Sequence, residues 1–493
     1  MSGRAAARGA TPPLWTAAEA QAATGGTGPG GWACHSVSAD TRSLAPGALF
    51  VALSDVRDGH DFVADALKAG AAAALVSRIP EGLAEDAPLL LVPDVLEGLR
   101  ALAAAARARM SGRVIGVTGS MGKTGVKEML RLALGCQGRV HAAEKSFNNH
   151  WGVPLTLAAM PADTDYAVIE IGMNHSGEIT PLTTLARPHV ALVTNVAPVH
   201  LAHFASVNEI ARAKAEIFAG LEPGGTAVLN RDIATYPILD RAARRAGARL
   251  IRFGAAGRPE LRLQRARVCD RATVIMARAF GQDLMFKLGA PGRHLALNAL
   301  GALGAVAAAG ADIGQAALAL GQWTAPAGRG ARWVVRLGTP EIDGSFVLID
   351  ESYNANPSSV EAALELLSSV SPRDGQGRVS RGRRTAFLGD MLELGPEEER
   401  LHAGLASLPA LADISKVHCA GPRMKALHLA LPARLRGEWH EDSAKLASRV
   451  PRLVDAGDVV MVKGSLGARM ARVVDALRRM GDARPDETAP EDA

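Results

Sequence analysis

A glycine-rich turn between an apolar run and a helical pattern is the part of this chain best suited to chemistry. The run covers residues 114–117, and the turn, residues 119–124, follows it directly. Glycines let backbone N–H groups approach a phosphate, and a helix N-terminus adds partial positive charge. The Lys123 ammonium can contact the outer phosphates, and the Thr124 hydroxyl can bind Mg²⁺. The turn therefore predicts binding of a nucleoside triphosphate, with phosphate contacts from Gly119, Ser120, Gly122, Lys123 and Thr124.

The glycine spacing of this turn departs from the strict phosphate-loop pattern. Gly119 lies three residues before Gly122 and Gly116 lies six before it, so the spacing G-x-x-x-x-G-K-[ST] is not met. The alternative is a purely structural turn between a strand and a helix. A strand before and a helix after are nevertheless the context of a phosphate loop, which favours nucleotide binding.

Acidic side chains stand at the ends of two further apolar runs. Glu170 ends the run from Tyr166, and Asp350 ends the run from Phe346. In open α/β sheets, ligands bind at the carboxyl ends of the strands. Glu170 is therefore expected to help hold Mg²⁺ beside the phosphate loop. The alternative for both acids is an ordinary solvent-facing position or local turn chemistry.

A histidine and a lysine further along the chain are candidates that the residues alone do not decide. His200 lies four residues beyond an apolar run predicted to be a strand over 189–196, and His203 is an equal candidate by composition. A lone histidine is more often an ordinary hydrogen-bonded residue than a metal ligand. Lys214 lies on a helix that the capping pattern Ser206-x-x-Glu209 is predicted to open. Taken alone, it is a solvated helix lysine.

Two polar loops also follow predicted strands. Residues 350–357 place acids, amides and Tyr353 before a helix that the pattern Ser358-x-x-Glu361 is predicted to cap. The Tyr353 ring could stack on a base. Residues 389–395 likewise follow a strand with an acid. Shared placement at one sheet edge favours a site over mere turn chemistry.

The composition argues against a nucleic-acid-binding, secreted or membrane-inserted protein. The 493 residues suggest about three domains. The net charge is +5, no basic block is present and aromatic residues are 4%, so we expect no nucleic-acid partner. Four widely spaced cysteines form no metal-ligand pattern. The start lacks the apolar stretch of a signal peptide, and residues 295–311 fit a core helix better than a membrane span, so a cytoplasmic protein without membrane insertion is expected.

Short apolar strands alternate with helical patterns along most of the chain, which predicts an α/β fold. We expect three domains: a small N-terminal α/β unit over 14–108, a central phosphate-loop domain with a parallel sheet over 109–325, and a C-terminal Rossmann-like domain over 326–481. Breaker residues at 323–330 predict a hinge. The polar segment 482–493 is predicted to be disordered.

Taken in order, the motifs resemble the Mur ligase family of ATP-dependent amide-bond-forming enzymes. The resemblance extends from about Asp40 to Lys463, and the motifs are specific only as a set. They are residues 118–124, residues 169–172, His200, residues 213–218, residues 292–294 with Asn298, and residues 350–357. The segments 350–357, 388–395 and 462–465 are similar to family members that add a dipeptide. Residues 38–42 and 58–62 resemble the family's uridine-nucleotide module, so the N-terminal unit is expected to bind the UDP moiety.

The resemblance implies roles for individual residues. Lys123, Lys214 and His200 would be catalytic, with Lys214 carbamylated into a carboxylate-like metal ligand. Thr124, Glu170, His200 and Lys214 would hold Mg²⁺, with His200 serving a second ion. Asn298 would face adenine, and Arg329 and Asp350 would bind the nucleotide across the hinge. The expected substrate contacts are Ser38, Arg42, Asn148, Tyr353 and Asn354.

The implied reaction uses ATP and Mg²⁺ to join UDP-N-acetylmuramoyl-tripeptide to D-alanyl-D-alanine through an acyl phosphate, in a monomeric enzyme. The alternatives are a Mur-type ligase with another amino donor, a non-catalytic phosphate-loop protein and a phosphate-loop kinase. Two positions depart from the family pattern: Leu295 follows His294 where an asparagine is common, and Leu466 replaces an arginine for which Arg469 could substitute.

Overall fold

The computed structural model describes residues 12–55, 57–84, 86–198, 203–269, 271–338, 344–376, 378 and 380–486. Within these ranges the chain forms three α/β units in sequence order, each with its own sheet. The predicted α/β class with several domains is confirmed. No helix in this described part is long and apolar enough to cross a membrane.

The N-terminal unit is a small parallel sheet covered by helices. Its elements are β1 (Trp15–Thr16), α1 (Ala17–Thr24), β2 (Ala33–Cys34), β3 (Ser36–Ser38), β4 (Ala48–Val51), α2 (Val63–Lys68), β5 (Ala73–Val76), β6 (Leu89–Leu91) and α3 (Val95–Arg109). The sheet order is β3-β4-β5-β6, all parallel, and β1 pairs with β2 in a separate antiparallel ribbon. Strands β4 and β5 are buried on both faces, as a covered parallel sheet requires.

Helix α3 belongs to two cores at once. Leu99 and Leu102 are fully buried in a cluster that contains both Leu75 of β5 and Leu155 of the next unit. At the end of the helix, Arg107 donates from Nε to the carbonyl oxygen of Ala186 at 2.8 Å. The predicted boundary at 108/109 therefore separates two sheets, but it runs through shared packing.

The central unit carries the largest sheet. Its elements are β7 (Arg113–Thr118), α4 (Lys123–Gly135), β8 (Val140–Ala142), α5 (Gly152–Ala158), β9 (Tyr166–Glu170), α6 (Ile179–Ala186), β10 (Val190–Val193), α7 (Val207–Ala215), β11 (Thr226–Asn230), α8 (Tyr236–Arg245), β12 (Arg249–Gly254), β13 (Leu261–Val268), β14 (Thr273–Ala279), β15 (Gln282–Leu288), α9 (Arg293–Ala308) and α10 (Ile313–Ala319). The order is β15-β14-β13-β12-β11-β10-β7-β9-β8.

This sheet is parallel from β8 to β13, and β14 and β15 complete it as antiparallel strands. Alternate residues of β7 enter different cores: Ile115 and Val117 pack with α4 and α9, whereas Val114 packs with α5 and α6. In register, Thr118 pairs with Val193 and Val117 pairs with Glu170, so β7, β9 and β10 end at the same edge. That edge positions the phosphate loop.

The C-terminal unit has a seven-stranded sheet. Its elements are β16 (Ala331–Leu337), β17 (Gly344–Glu351), α11 (Pro357–Ser369), β18 (Arg384–Gly389), α12 (Glu398–Gly404), β19 (Lys416–Ala420), α13 (Met424–Ala430), β20 (Arg436–His440), α14 (Ser443–Leu453), β21 (Val459–Lys463), α15 (Ala471–Arg478) and β22 (Asp482–Pro485). The order is β20-β19-β18-β21-β17-β16-β22; β16 pairs antiparallel with both β17 and β22, and the other pairs are parallel.

Short 3₁₀ turns connect several of these elements in all three units. They cover Thr41–Ser43, Gly59–Phe62, Glu216–Gly220, Leu320–Gln322, Gly395–Glu397, Leu405–Ser407, Pro409–Asp413 and Leu466–Ala468.

Three local predictions need correction. The segment 482–493 is not disordered at its start, because β22 pairs with β16 from Trp333 to Arg336; residues 487–493 lie outside the described residues. Helix α11 begins earlier than predicted, because Asn356 rather than Ser358 is its cap and forms a capping box with Ser359. The strand predicted over 189–196 covers only Val190–Val193, because the residues after it bond to the phosphate loop.

Candidate active site

The phosphate loop needs its glycines because other chain segments press against it. Gly119 and Gly122 have φ values of 153° and 80°, which side chains rarely adopt. A Cβ on Gly119 would lie 1.9 Å from the Thr194 hydroxyl oxygen, and one on Gly122 would lie 2.8 Å from the Asn298 amide nitrogen. Both positions therefore need glycine for steric reasons, whatever the spacing between them.

Residues after β10 hold this loop in place. The backbone N–H of Met121 donates to the Asn195 side-chain oxygen at 2.9 Å, and the Thr194 hydroxyl donates to the Met121 carbonyl at 2.6 Å. Asn230, at the end of β11, donates in turn to the Thr194 carbonyl at 3.1 Å. Sequence reasoning missed these three residues. Their signal was a polar residue at each strand end; the overlong strand prediction concealed it for Thr194 and Asn195, whereas Asn230 ends a strand whose bounds were predicted.

Thr124 and Glu170 meet as predicted, in a buried polar cluster. The Thr124 hydroxyl lies 2.9 Å from Glu170 Oε2 and 3.0 Å from the Ser146 hydroxyl. Asn148 donates from Nδ2 to Glu170 Oε1 at 2.6 Å. Asn148 was predicted to contact the substrate; in the structure its side chain is hydrogen-bonded to the Glu170 carboxylate beside the phosphate loop. The oxygens of Thr124 and Glu170 are hard ligands of the kind that Mg²⁺ prefers.

Lys123 and Lys214 lie close enough for their charges to interact, and the pKa of each is lowered. Lys123 donates from Nζ to the Gly119 carbonyl at 2.8 Å, and burial lowers the pKa of its amine against the opposing effect of Glu170. Lys214 is not a solvated helix lysine: it is 2% exposed. Burial lowers its pKa well below the usual value, and the charge of Lys123 adds to that effect. Helix α7, which carries it, begins at the predicted cap Ser206.

The C-terminal unit supplies the opposite wall. The Arg329 guanidinium lies 4.1 Å from the centre of the Tyr353 ring and donates to the Ser146 hydroxyl at 3.3 Å. Tyr353 is thus stacked by an arginine of the hinge. Asp350 is buried, and its carboxylate accepts from the backbone N–H of Gly328 at 3.1 Å and from Ser352. In this arrangement Asp350 orients the hinge that carries Arg329.

A buried lysine joins this wall; it lies in the segment 462–465 that the sequence analysis singled out, but no role was predicted for it. Lys463, at the end of β21, donates to Glu351 Oε2 at 3.1 Å and to the Asn354 carbonyl at 2.9 Å. The nearby His294 has its pKa lowered by burial, with the Glu351 charge opposing that effect. The predicted substrate contact Asn354 is therefore held in place through its backbone.

One cavity of about 430 Å³ lies between the two walls. Its lining comes from the phosphate loop, the Glu170 cluster, α9 and the loop before α11. The predicted residues that line it are Ser120, Gly122, Lys123, Asn148, Glu170, Asn298, Arg329, Tyr353 and Asn354. Leu295 lines it beside His294, whereas Leu466 is 65% exposed and lies away from it.

Six of the predicted residues that the structure describes do not line the cavity. Gly119 and Thr124 belong to the phosphate loop and the first turn of α4, next to residues that do line it. Asp350 and Lys214 are buried. Ser38 and Arg42 lie on the N-terminal unit, where each contacts Asp40. That unit reaches the central one through Lys145, whose Nζ lies 3.9 Å from Asp40 Oδ2.

His200 lies outside the described residues, so its predicted metal role stays a prediction. In the part of the chain that the structure describes, no group of three histidine, cysteine or acidic side chains is arranged to hold a metal ion. Among the described residues, the Thr124 hydroxyl and the Glu170 carboxylate are the oxygen ligands that the structure brings together here.

Family models match three parts of the chain. The Mur ligase family catalytic domain matches residues 33–107, the Mur ligase middle domain matches residues 117–306, and the Mur ligase glutamate ligase domain matches residues 337–466. These matches follow the same division into three units that the sheets show.

Curated relatives and solved structures match along nearly the whole chain. The UDP-N-acetylmuramoyl-tripeptide--D-alanyl-D-alanine ligase of Escherichia coli is 36% identical over 90% of this chain and 94% of its own length. The enzyme of that name from Rickettsia prowazekii is 32% identical over 90% and 95%. Among structures, MurF from Acinetobacter baumannii has a TM-score of 0.78 at 26% identity, covering 94% of this chain and 99% of that one. MurF ligase from Thermotoga maritima in complex with ADP has a TM-score of 0.72 at 26% identity, covering 90% and 97%.

Proposed function

The chain belongs to the Mur ligase family, and from this we propose that it joins D-alanyl-D-alanine to UDP-N-acetylmuramoyl-tripeptide with consumption of ATP. The observation that carries the proposal is the cavity shared by a phosphate loop and the polar loop before α11. The first loop suits a nucleotide, and the second comes from another domain. A site of this kind brings a nucleotide and an acceptor together, as a ligase requires.

The reaction has two steps. The terminal carboxylate of the tripeptide attacks the γ-phosphorus of ATP, so a C–O–P linkage forms and ADP leaves. The free amine of the dipeptide then attacks the acyl carbon, the amide bond forms, and phosphate leaves with the carboxylate oxygen while the amine loses a proton. Both steps bring anions together, so positioning and charge neutralisation dominate the catalysis.

The phosphates are bound by groups already fixed in place. The N–H groups of Ser120 and Met121 are bonded to Asn195, so the backbone N–H groups that bind the phosphates are those of the α4 N-terminus, and Lys123 adds a positive charge. Arg329 approaches from the hinge and lies within reach of Ser146 at the same point. Thr124 and Glu170 would hold Mg²⁺, which neutralises phosphate charge when bound. Their 2.9 Å contact and burial support this assignment.

Lys214 becomes a further anionic ligand if it is carbamylated. Its unprotonated Nζ attacks the carbon of CO₂, an N–C bond forms, one proton leaves, and the product is a carbamate anion. Burial disfavours the ammonium form and so increases the fraction of amine that can react. A carbamate also replaces a buried cation with an anion that can bind the metal.

The substrates enter from two sides in this scheme. The N-terminal unit binds the UDP moiety through Ser38 and Arg42, and the segment that carries Lys145 and Ser146 leads from there to the metal cluster. Tyr353 and Asn354 face the cavity from the C-terminal side and bind the incoming dipeptide.

Phosphate release is the experiment that tests this function. The purified chain is incubated with ATP, Mg²⁺ and UDP-N-acetylmuramoyl-tripeptide, with and without D-alanyl-D-alanine, and a panel of other amino donors runs in parallel. We expect release that needs both substrates, and a product heavier than the tripeptide by the dipeptide minus water. Release with another donor alone would keep the family and change the substrate. A stable phosphorylated product without an amine would indicate a kinase, and no release would indicate a nucleotide-binding protein without the chemistry.

A further inference from the structure

The proposed reaction leaves one fully buried lysine of the central unit unused. Lys127 lies on α4, one turn after Lys123, and its side chain is inaccessible to solvent. A lysine is rarely buried completely unless its charge is paired. Lys127 Nζ lies 2.8 Å from Glu128 Oε1 and donates hydrogen bonds to the carbonyl oxygens of Ala143 and Lys145. These three contacts equal the number of N–H donors on an ammonium group.

The two carbonyls belong to a segment between β8 and α5 that has little backbone support of its own. Residues 143–148 lead from the end of β8 to the cavity, which Ser146 and Asn148 line. Within the described residues, the backbone of 144–147 forms no hydrogen bond with another backbone group. The 3.4 Å contact from Lys127 to the Lys145 carbonyl is therefore important for its position. A segment with so few backbone hydrogen bonds is held mainly by side chains.

Side chains from the far end of this segment reach the phosphate-binding cluster. Ser146 Oγ lies 3.0 Å from the Thr124 hydroxyl and accepts a hydrogen bond from Arg329 at 3.3 Å. Asn148 donates to Glu170 Oε1 at 2.6 Å. A shift of the segment would therefore change contacts on both walls of the cavity.

Helix α4 holds the segment at two points. Thr124 and Lys127 are three residues apart, so their side chains emerge on the same side of the helix. The first contacts Ser146, and the second contacts the carbonyls of residues 143 and 145. Because the phosphate loop leads directly into α4, these contacts fix the segment relative to the loop.

We propose that Lys127 is a positioning residue, which holds the segment 143–148 so that its polar side chains meet Thr124 and Glu170 in the geometry that phosphoryl transfer needs. This inference rests on the proposed function, because it assigns the lysine to that reaction. Lys127 does not line the cavity. Its loss should therefore lower kcat and leave the KM for ATP nearly unchanged.

Replacement by methionine removes the charge and keeps the length of the side chain. We expect Lys127→Met to lower kcat between about 10- and 100-fold, since small misplacements of reacting groups have effects of this size. The control is Arg107→Met on α3, where another buried cation donates to two backbone carbonyls and pairs with one acid. In both variants that acid keeps a second arginine partner. Both variants should have a lower melting temperature, and only Lys127→Met should lose turnover.

A double-mutant cycle on kcat tests whether the lysine acts through the segment. Ser146→Ala removes the contact with the Thr124 hydroxyl. If Lys127 acts by placing Ser146, the double variant should lose no more than about twofold beyond the more severe single variant. Losses that multiply would overturn the proposal, and so would full kcat in Lys127→Met. Lys127→Gln keeps an N–H donor, should lose less turnover, and replaces Lys127→Met in the cycle if that variant does not fold.

Cleavage after Lys145 by a lysine-specific protease tests the same link without substrates. Lys145 is exposed, so its cleavage reports how often the segment opens. We expect cleavage about tenfold faster in Lys127→Met, because hydrogen bonds from a charged donor are lost. Arg107→Met should cleave there at the unmodified rate, with the equally exposed Lys445 as internal reference.

Equal cleavage after Lys145 in both variants and the unmodified chain would overturn the proposal. A chain that forms no product with any donor would instead contradict the proposed function. The cleavage rates would still decide whether Lys127 holds the segment, because that measurement needs no turnover.

Discussion

The two walls of the cavity are built differently. On the central side, Thr124, Glu170 and Asn148 are bonded to one another, and the phosphate loop is fixed by residues from two neighbouring strand ends. On the C-terminal side, Tyr353 and Asn354 are exposed, and Arg329 is held by ring stacking and one long hydrogen bond. Phosphoryl transfer needs fixed charges at fixed places. On the C-terminal side the backbone is hydrogen-bonded but the side chains of Tyr353 and Asn354 are exposed, so domain movement around bound ligands can complete this wall.

Replacing Lys123 on the central side of the cavity should have the largest effect on activity. Lys123→Ala deletes a positive charge at the phosphates, and we expect kcat to fall about 10³-fold. Phosphate release under saturating substrates measures the loss. The control is Lys445→Ala, an exposed lysine paired with Glu441, which should keep full turnover. An activity loss below tenfold in Lys123→Ala would contradict the role given to this residue.

Replacement of Lys214 tests whether this lysine is carbamylated. Lys214→Ala should lower turnover about 10²-fold, and added short-chain carboxylic acids should restore part of it, since a free carboxylate can occupy the emptied position. Removal of CO₂ from the buffer should lower the activity of the unmodified protein reversibly. Full activity in Lys214→Ala would show that the carbamate assignment is wrong.

Arg329 tests the adaptable wall. Arg329→Lys keeps the charge but loses the flat guanidinium that stacks on Tyr353, so we expect ADP to bind about tenfold more weakly. Calorimetric titration measures the affinity. Arg336→Lys, on the exposed part of β16, is the matched control and should leave the affinity unchanged. Equal affinities in both variants would mean that the stacked arginine does not contribute to nucleotide binding.

The cap of α11 gives the smallest expected effect. Asn356 accepts from the Ser359 N–H at 3.0 Å, so Asn356→Ala should reduce the free energy of unfolding by about 1 kcal/mol. Denaturant titration of the C-terminal transition measures it. Ser358→Ala should be nearly neutral because the cap is Asn356; a larger loss there would contradict the observed capping box.

The sequence was informative where function depends on neighbours in the chain. The phosphate loop, Glu170 at a strand end and the cap at Ser206 were predicted from short patterns, and the strand over 226–230 has its predicted bounds. Contacts between distant segments were not predictable. Asn195 was predicted as part of a strand because it follows an apolar run. Its hydrogen-bond partner Met121 is 74 residues away in the sequence, so no local pattern indicated that contact.

The same limit explains the errors at the end of the chain. Residues 482–485 are polar and include a proline, so alone they resemble a disordered tail. They form a strand because β16 offers a free edge, and no local pattern reports that edge. The burial of Lys214 was equally hidden, because a lysine on an amphipathic helix normally faces water.

Helix α3 has a consequence for chimeric enzymes made from relatives of this chain. Leu99 and Leu102 are buried in one cluster with residues of the first sheet and with Leu155. A crossover at residue 108 would therefore pack α3 from one parent against α5 from the other, and their side chains would not match. The N-terminal unit is therefore exchanged best together with α3, α5 and the interface that they share. Crossovers at 323–330, where the chain passes between separate sheets, should be tolerated far better.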